Sequence, residues 1–96
     1  MTTSKQSFEE VWISIVKHEG KIFHTKRGYP FTYSIHGTSL RTDRTSWALN
    51  NKNLKYAYDL WPVSGPGKFN YAVRGPSYAW AIFSDERIIK KKEDET

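Results

Sequence analysis

Three histidines, His18, His24 and His36, are the side chains of this chain best suited to hold a metal or move a proton near neutral pH. They fall on a predicted helix end, a strand and a turn, and none has a second ligand at i, i+4. The 96 residues contain no cysteine, which excludes thiolate zinc sites, iron–sulfur clusters, cysteine nucleophiles and disulfides together. Asp43, Asp59, Asp85 and Glu86 show no spacing that forces two carboxylates together for acid–base work. Thr42, Thr45 and Ser46 offer hydroxyls without a base and orienting group placed to activate one. Gly65-Pro66-Gly67-Lys68 lacks the spacing of a phosphate loop and precedes no long helix, so it reads as a turn. The residue types require no metal, cofactor or catalytic group, and the chain reads as a non-enzyme.

Charge is the constellation with a physical consequence. The net charge is +5. Lys21 to Lys55 hold seven bases (Lys21, Lys26, Arg27, Arg41, Arg44, Lys52 and Lys55) against the single acid Asp43, a net of +6, so the flanks nearly cancel at −1. Such a stripe favours an anionic partner through encounter electrostatics. Arginine suits phosphate through its bidentate fork, and lysine acts as a point charge. Arg41 and Arg44 are therefore the candidate phosphate anchors, with Lys26, Arg27, Lys52 and Lys55 as weaker contributors. Tyr29, Trp47 and Tyr56 are interleaved with them, and exposed rings can stack on bases.

Positioning these residues needs a small set of elements. Ser7-Phe8-Glu9-Glu10 is a capping box, and Phe8, Val11, Trp12, Ile15 and Val16 follow at helical spacing until Gly20. Lys21–Thr25, Tyr29–Ile35 and Ser39–Arg44 read as three antiparallel strands, with turns at Lys26-Arg27-Gly28 and His36-Gly37. Pro30 cannot donate to a ladder and belongs at a strand start. Asn50 or Asn51 caps a second helix carrying Leu54, Ala57, Tyr58 and Trp61, which Pro62 ends. Gly65-Pro66-Gly67 and Gly75-Pro76 punctuate the remainder, with Phe69, Tyr71 and Val73 after the first and a short helical segment from Ser77 to Phe83 after the second. The predicted class is α+β: an N-terminal helix, a three-stranded antiparallel meander, then a helix and short C-terminal helical segments packed on one sheet face.

A chain of this length forms one domain, predicted over residues 7–89, between a disordered N-terminus (residues 1–6) and a flexible charged tail (residues 90–96). Hydrophobic residues make up 38% of the chain and aromatics 16%, so rings must replace much of an aliphatic core. Phe8, Trp12, Phe31, Tyr33, Tyr58 and Trp61 are the expected core rings. No apolar stretch has the length of a signal-peptide core or a membrane span, and a soluble, cytoplasmic protein is expected.

Gly28, Phe31-Thr32-Tyr33, Gly37, Leu40 and Arg44, followed by Gly75-Pro76-Ser77-Tyr78 and Trp80-Ala81-Ile82, resemble a pattern of small uncharacterised bacterial proteins of the mobile-gene-cassette or mobile-element type. The resemblance implies a compact bacterial α+β domain with no catalytic residues to carry over. Arg44 is its matching polar position.

These readings give a non-enzymatic binding module that contacts nucleic acid through its basic strand-and-turn surface. The alternative is a protein-interaction or dimerisation module that uses exposed rings around Trp61, Tyr78 and Trp80. Small-molecule binding near the Arg74–Trp80 loop is the remaining class.

Overall fold

The computed structural model describes residues 6–69 and 75–89, and the statements below concern those residues. The predicted disorder of residues 1–5, the charged tail, and Tyr71, Val73 and Arg74 lie outside them. Gln6 is tied in, since its carbonyl accepts the Tyr58 hydroxyl at 2.6 Å.

Helix α1 (Phe8–Lys17) starts where the sequence predicts: the Ser7 hydroxyl accepts from the Glu10 amide at 3.2 Å. Such a cap contributes about 1 kcal/mol. Val11 and Ile15 are buried, Phe8 and Trp12 are half-buried against them, and Val16 falls on the exposed side. Next come β1 (Phe23–His24), β2 (Pro30–Phe31), β3 (Tyr33–His36), β4 (Ser39–Thr42), β5 (Leu49–Asn50) and α2 (Asn51–Leu60). A single 3-10 turn (Pro66–Phe69) and α3 (Pro76–Ser84) complete the fold. The class is α+β, with the N-terminal helix and an antiparallel meander, β3-β4-β5, as predicted.

The strands depart from the sequence reading in three places. Tyr29–Ile35 divides at Thr32, because Thr32 gives its amide to the Asp43 carboxylate at 3.0 Å and its carbonyl accepts the Asp43 amide at 2.9 Å. β1 and β2 therefore form a separate antiparallel ribbon, with Phe23 opposite Phe31. The strand predicted to reach Arg44 ends at Thr42, whose hydroxyl accepts the Arg44 amide and turns the chain. The third meander strand is Leu49-Asn50, paired with Leu40 and Ser39. Asn50 closes that strand and caps α2, accepting from the Lys52 amide at 2.8 Å.

Pairing Tyr33 with Thr42, Ile35 with Leu40 and Leu40 with Leu49 gives the meander one apolar face, and Ser34, His36, Ser39, Arg41 and Asn50 make the other. Gly37, at φ +64°, supplies the left-handed residue of the β3–β4 turn. The free edge of β3 is covered by the turn after α1: Gly20 donates to the Tyr33 carbonyl, and the Glu19 carboxylate accepts from the Ile35 amide at 2.9 Å.

The core is built from rings. Phe23 lies 5.3 Å from Tyr33 and 6.1 Å from Phe31, while Phe83 gathers Tyr58, Trp61 and Phe69 within 6.3 Å. Each such pair contributes about 0.5–1.5 kcal/mol beyond its buried area. Ala79 and Ala81 keep α3 slim enough to pack against α2, β1 and the 3-10 turn.

Candidate functional site

The hairpin joining β1 and β2 is a tight loop closed twice on Thr25. Its amide donates to the Tyr29 carbonyl at 2.9 Å, and its hydroxyl accepts the Tyr29 amide at 3.1 Å. Gly28, at φ +92°, gives its amide to the Thr25 carbonyl and makes that closure possible. Lys26 and Arg27 sit at the tip and Tyr29 at the base. Facing them are Arg44, from the turn after β4, Pro66, and the first turn of α3 with Ser77 and Tyr78. Together with Pro30 these residues line a cleft of about 760 Å³, and no carboxylate is among them.

The three cations are held differently. Lys26 Nζ donates to the Ser64 carbonyl at 2.8 Å and lies 5.5 Å from the centre of the Trp80 ring, which ties the hairpin to the segment after α2. Arg44 donates from Nε to the Pro30 carbonyl at 3.2 Å, fixing the guanidinium plane while its terminal nitrogens stay available. Arg27 makes no hydrogen bond or ion pair with the described residues. The ion pairs among those residues lie elsewhere: Lys55 with Asp59 at 3.7 Å, and Arg87 with Asp85 at 2.9 Å. Positive charge in the cleft is thus unneutralised from within, and the positive end of the α3 dipole adds to it.

Two rings accompany the cations. Tyr29 is 61% exposed. Tyr78 is half-buried and meets Phe31 edge-on at 5.0 Å, so it forms wall.

The six basic candidates therefore occupy three places. Lys26, Arg27 and Arg44 converge. Arg41 lies on the exposed face of the meander opposite Ser34. Lys52 and Lys55 line a smaller groove of about 290 Å³ with Phe8, Glu9, Trp12 and Ile13, where Glu9 brings a carboxylate to the same lining. The ring set Trp61, Tyr78 and Trp80, the alternative interaction surface, is half-buried against the core, as expected for Trp61 as a core ring. Trp61 packs on Phe69, Trp80 and Phe83, and the Trp80 indole donates to the Val63 carbonyl at 3.2 Å. The large apolar residues that are exposed are Ile13, Val16, Ile22, Tyr29, Tyr56 and Leu60.

Sequence reasoning placed Tyr78 in a different candidate set from the cations it neighbours. Ser77 and Tyr78 belong to the Arg74–Trp80 loop expected near any pocket, whereas Thr25, Pro30 and Pro66 had no expected part. Local spacing carries no signal for that convergence, although the Gly-Pro pairs at Gly65-Pro66 and Gly75-Pro76 mark the turns that deliver Pro66 and Ser77. The histidines are apart: His18 pairs with the Ser14 carbonyl, His36 with the Ser34 hydroxyl, and His24 is exposed on β1. Among the described residues no three His, Asp or Glu side chains cluster as metal ligands. Among them, too, no helix is long and apolar enough to cross a membrane.

The groups with shifted ionisation lie away from the cleft. Hydrogen bonds from Arg87 hold the Asp85 carboxyl below its ordinary value, against some desolvation. Burial pushes the Tyr33 hydroxyl well above the ordinary phenol value. Searches of protein-family models, curated proteins and solved structures found no match to this chain.

Proposed function

We propose that the protein is a non-enzymatic binding module that contacts nucleic acid at the cleft between the β1–β2 hairpin, Arg44 and the start of α3. The observation that carries this reading is the convergence of Lys26, Arg27 and Arg44 on a cleft whose lining holds no carboxylate. Arg44, oriented through Pro30, is the bidentate phosphate ligand. Arg27, free to move, is the second, and Lys26 contributes its field while tethered to Ser64. Arg41, Lys52 and Lys55 act on approach of the ligand and not in the bound contact. In the same proposal the setting is the bacterial cytoplasm, beside the nucleic acid of mobile elements.

The alternative, a protein-partner surface on Trp61, Tyr78 and Trp80, has less support, because those rings are partly buried against the core. The test is titration of labelled single- and double-stranded DNA and RNA at low salt. Two or three phosphates contacted predict a log–log salt slope between about −1.4 and −2.7. The absence of retention of any of these at low salt overturns the reading.

A further inference from the structure

We infer that the ligand of this cleft is an unpaired nucleotide, with its phosphates between Arg27 and Arg44 and its base laid on the Tyr29 ring. This rests on the nucleic-acid reading above and narrows it. A duplex presents its bases edge-on inside a groove and is read by an element that protrudes into it. Here the cations line a concavity. Its volume, about 760 Å³, lies in the range of sites that enclose a small ligand and is of the scale of a nucleotide, not of a double helix.

Tyr29 supplies the second half of the argument. The residue is 61% exposed while its backbone is closed on Thr25 through both amide and carbonyl. An aromatic side chain mounted on a tight hairpin loses little further backbone freedom when a base stacks on it. Stacking needs only a π-face, which every base has and which the neighbouring base pairs cover in a duplex. Tyr78 does not compete for the role, because its ring is packed against Phe31. The Ser77 hydroxyl, at the exposed start of α3, adds a hydrogen-bonding group to the opposite wall.

The experiment compares, at one low salt concentration, a fluorescein-labelled oligothymidylate, its ribo counterpart, a blunt duplex of equal length and an abasic phosphodiester oligomer, against the full chain and three variants, Tyr29→Ala, Tyr29→Phe and Arg44→Ala. Wild type is expected to hold the single strands about tenfold or more tighter than the duplex and the abasic oligomer. Tyr29→Ala should weaken the single strands about ten- to a hundredfold and leave the duplex unchanged, with Tyr29→Phe close to wild type. Displacement of the oligomer by thymidine monophosphate would assign the free nucleotide as the source. Retention in its presence would assign the strand, and either result keeps the inference. Duplex binding as tight as single-strand binding, or single-strand binding indifferent to Tyr29→Ala, overturns it. If in that case Arg44→Ala still weakens the duplex, the nucleic-acid reading stands alone; if no oligomer binds, that reading fails too.

Discussion

Arg44 donates from Nε to the backbone carbonyl of Pro30 at 3.2 Å, and that bond joins the turn after β4 to the first residue of β2. It explains why an exposed arginine has a defined direction. The Nε edge is occupied by the protein, and Arg44 lines the cleft that Lys26, Arg27 and Tyr29 share, with no further side-chain hydrogen bond to the described residues. Lysine has no counterpart to this geometry, since its ammonium cannot spend one donor on Pro30 and present a fork with the others. Arg44→Lys is therefore expected to weaken nucleic-acid binding by about tenfold with little change in melting temperature. Fluorescence anisotropy and thermal denaturation of the same variant read the two quantities separately.

Gly75 is required for space and not for backbone freedom. A Cβ at this position would lie 2.8 Å from Cη2 of Trp47 and 3.2 Å from the Tyr78 ring. Gly75→Ala should push Trp47 or the start of α3 outward and destabilise the fold by about 1–3 kcal/mol. Denaturant titration gives the loss, and a shift in tryptophan emission reports the displaced ring.

The Asp85–Arg87 pair gives the fold an acid-side dependence. Arg87 grips both carboxylate oxygens, donates to the Ile22 carbonyl at 2.8 Å and lies 4.3 Å over the Phe23 ring. Because the folded state lowers the Asp85 value, the stabilisation is present above the unfolded carboxylate value, about 3.9, and is lost as pH falls through the folded one. Asp85→Asn should flatten stability against pH in that acid window, measured by urea midpoints. Arg87→Ala, which also removes the cover over Phe23, should cost about 1 kcal/mol at neutral pH.

Tyr33 sets the opposite limb. Its hydroxyl donates to the Ile15 carbonyl and is held neutral by burial. With the folded value raised, stability is complete below the unfolded phenol value, about 10, and declines as pH rises beyond it because the unfolded chain releases the proton first. Tyr33→Phe should remove part of that alkaline decline while costing about 1 kcal/mol at neutral pH through the lost hydrogen bond to α1. Urea midpoints on both sides of the phenol range test both statements.

Local rules made the helices legible. Ser7 and Asn50 cap α1 and α2, Pro76 opens α3, and Val11, Ile15, Leu54 and Ala57 are buried at the spacing that predicts them. The hairpin at Gly37 was equally readable. What period-2 alternation concealed is the division at Thr32, since the group that takes its amide is Asp43, eleven residues away. The site follows the same pattern. Lys26, Arg27 and Arg44 stand out as bases in a middle segment short of acids, but their separation from Arg41, Lys52 and Lys55 depends on which way the β4 side chains alternate and on which helix faces α1. Tyr78 reaches the cleft through tertiary packing of α3 on Phe31, which no local spacing encodes.

The proposed cleft site depends on the position of its charges and not on their total. Two double variants that remove the same charge test it most directly: Arg27→Ala with Arg44→Ala in the cleft, and Arg41→Ala with Lys52→Ala outside it. Affinity for a labelled single-stranded oligonucleotide at low salt is the measurement. The cleft pair should lower affinity by about a hundredfold and reduce the magnitude of the salt slope by about 1.4–1.8, and the outer pair should stay within a fewfold of wild type. Equal losses from the two pairs would contradict the claim and reduce the site to the diffuse field of a basic chain.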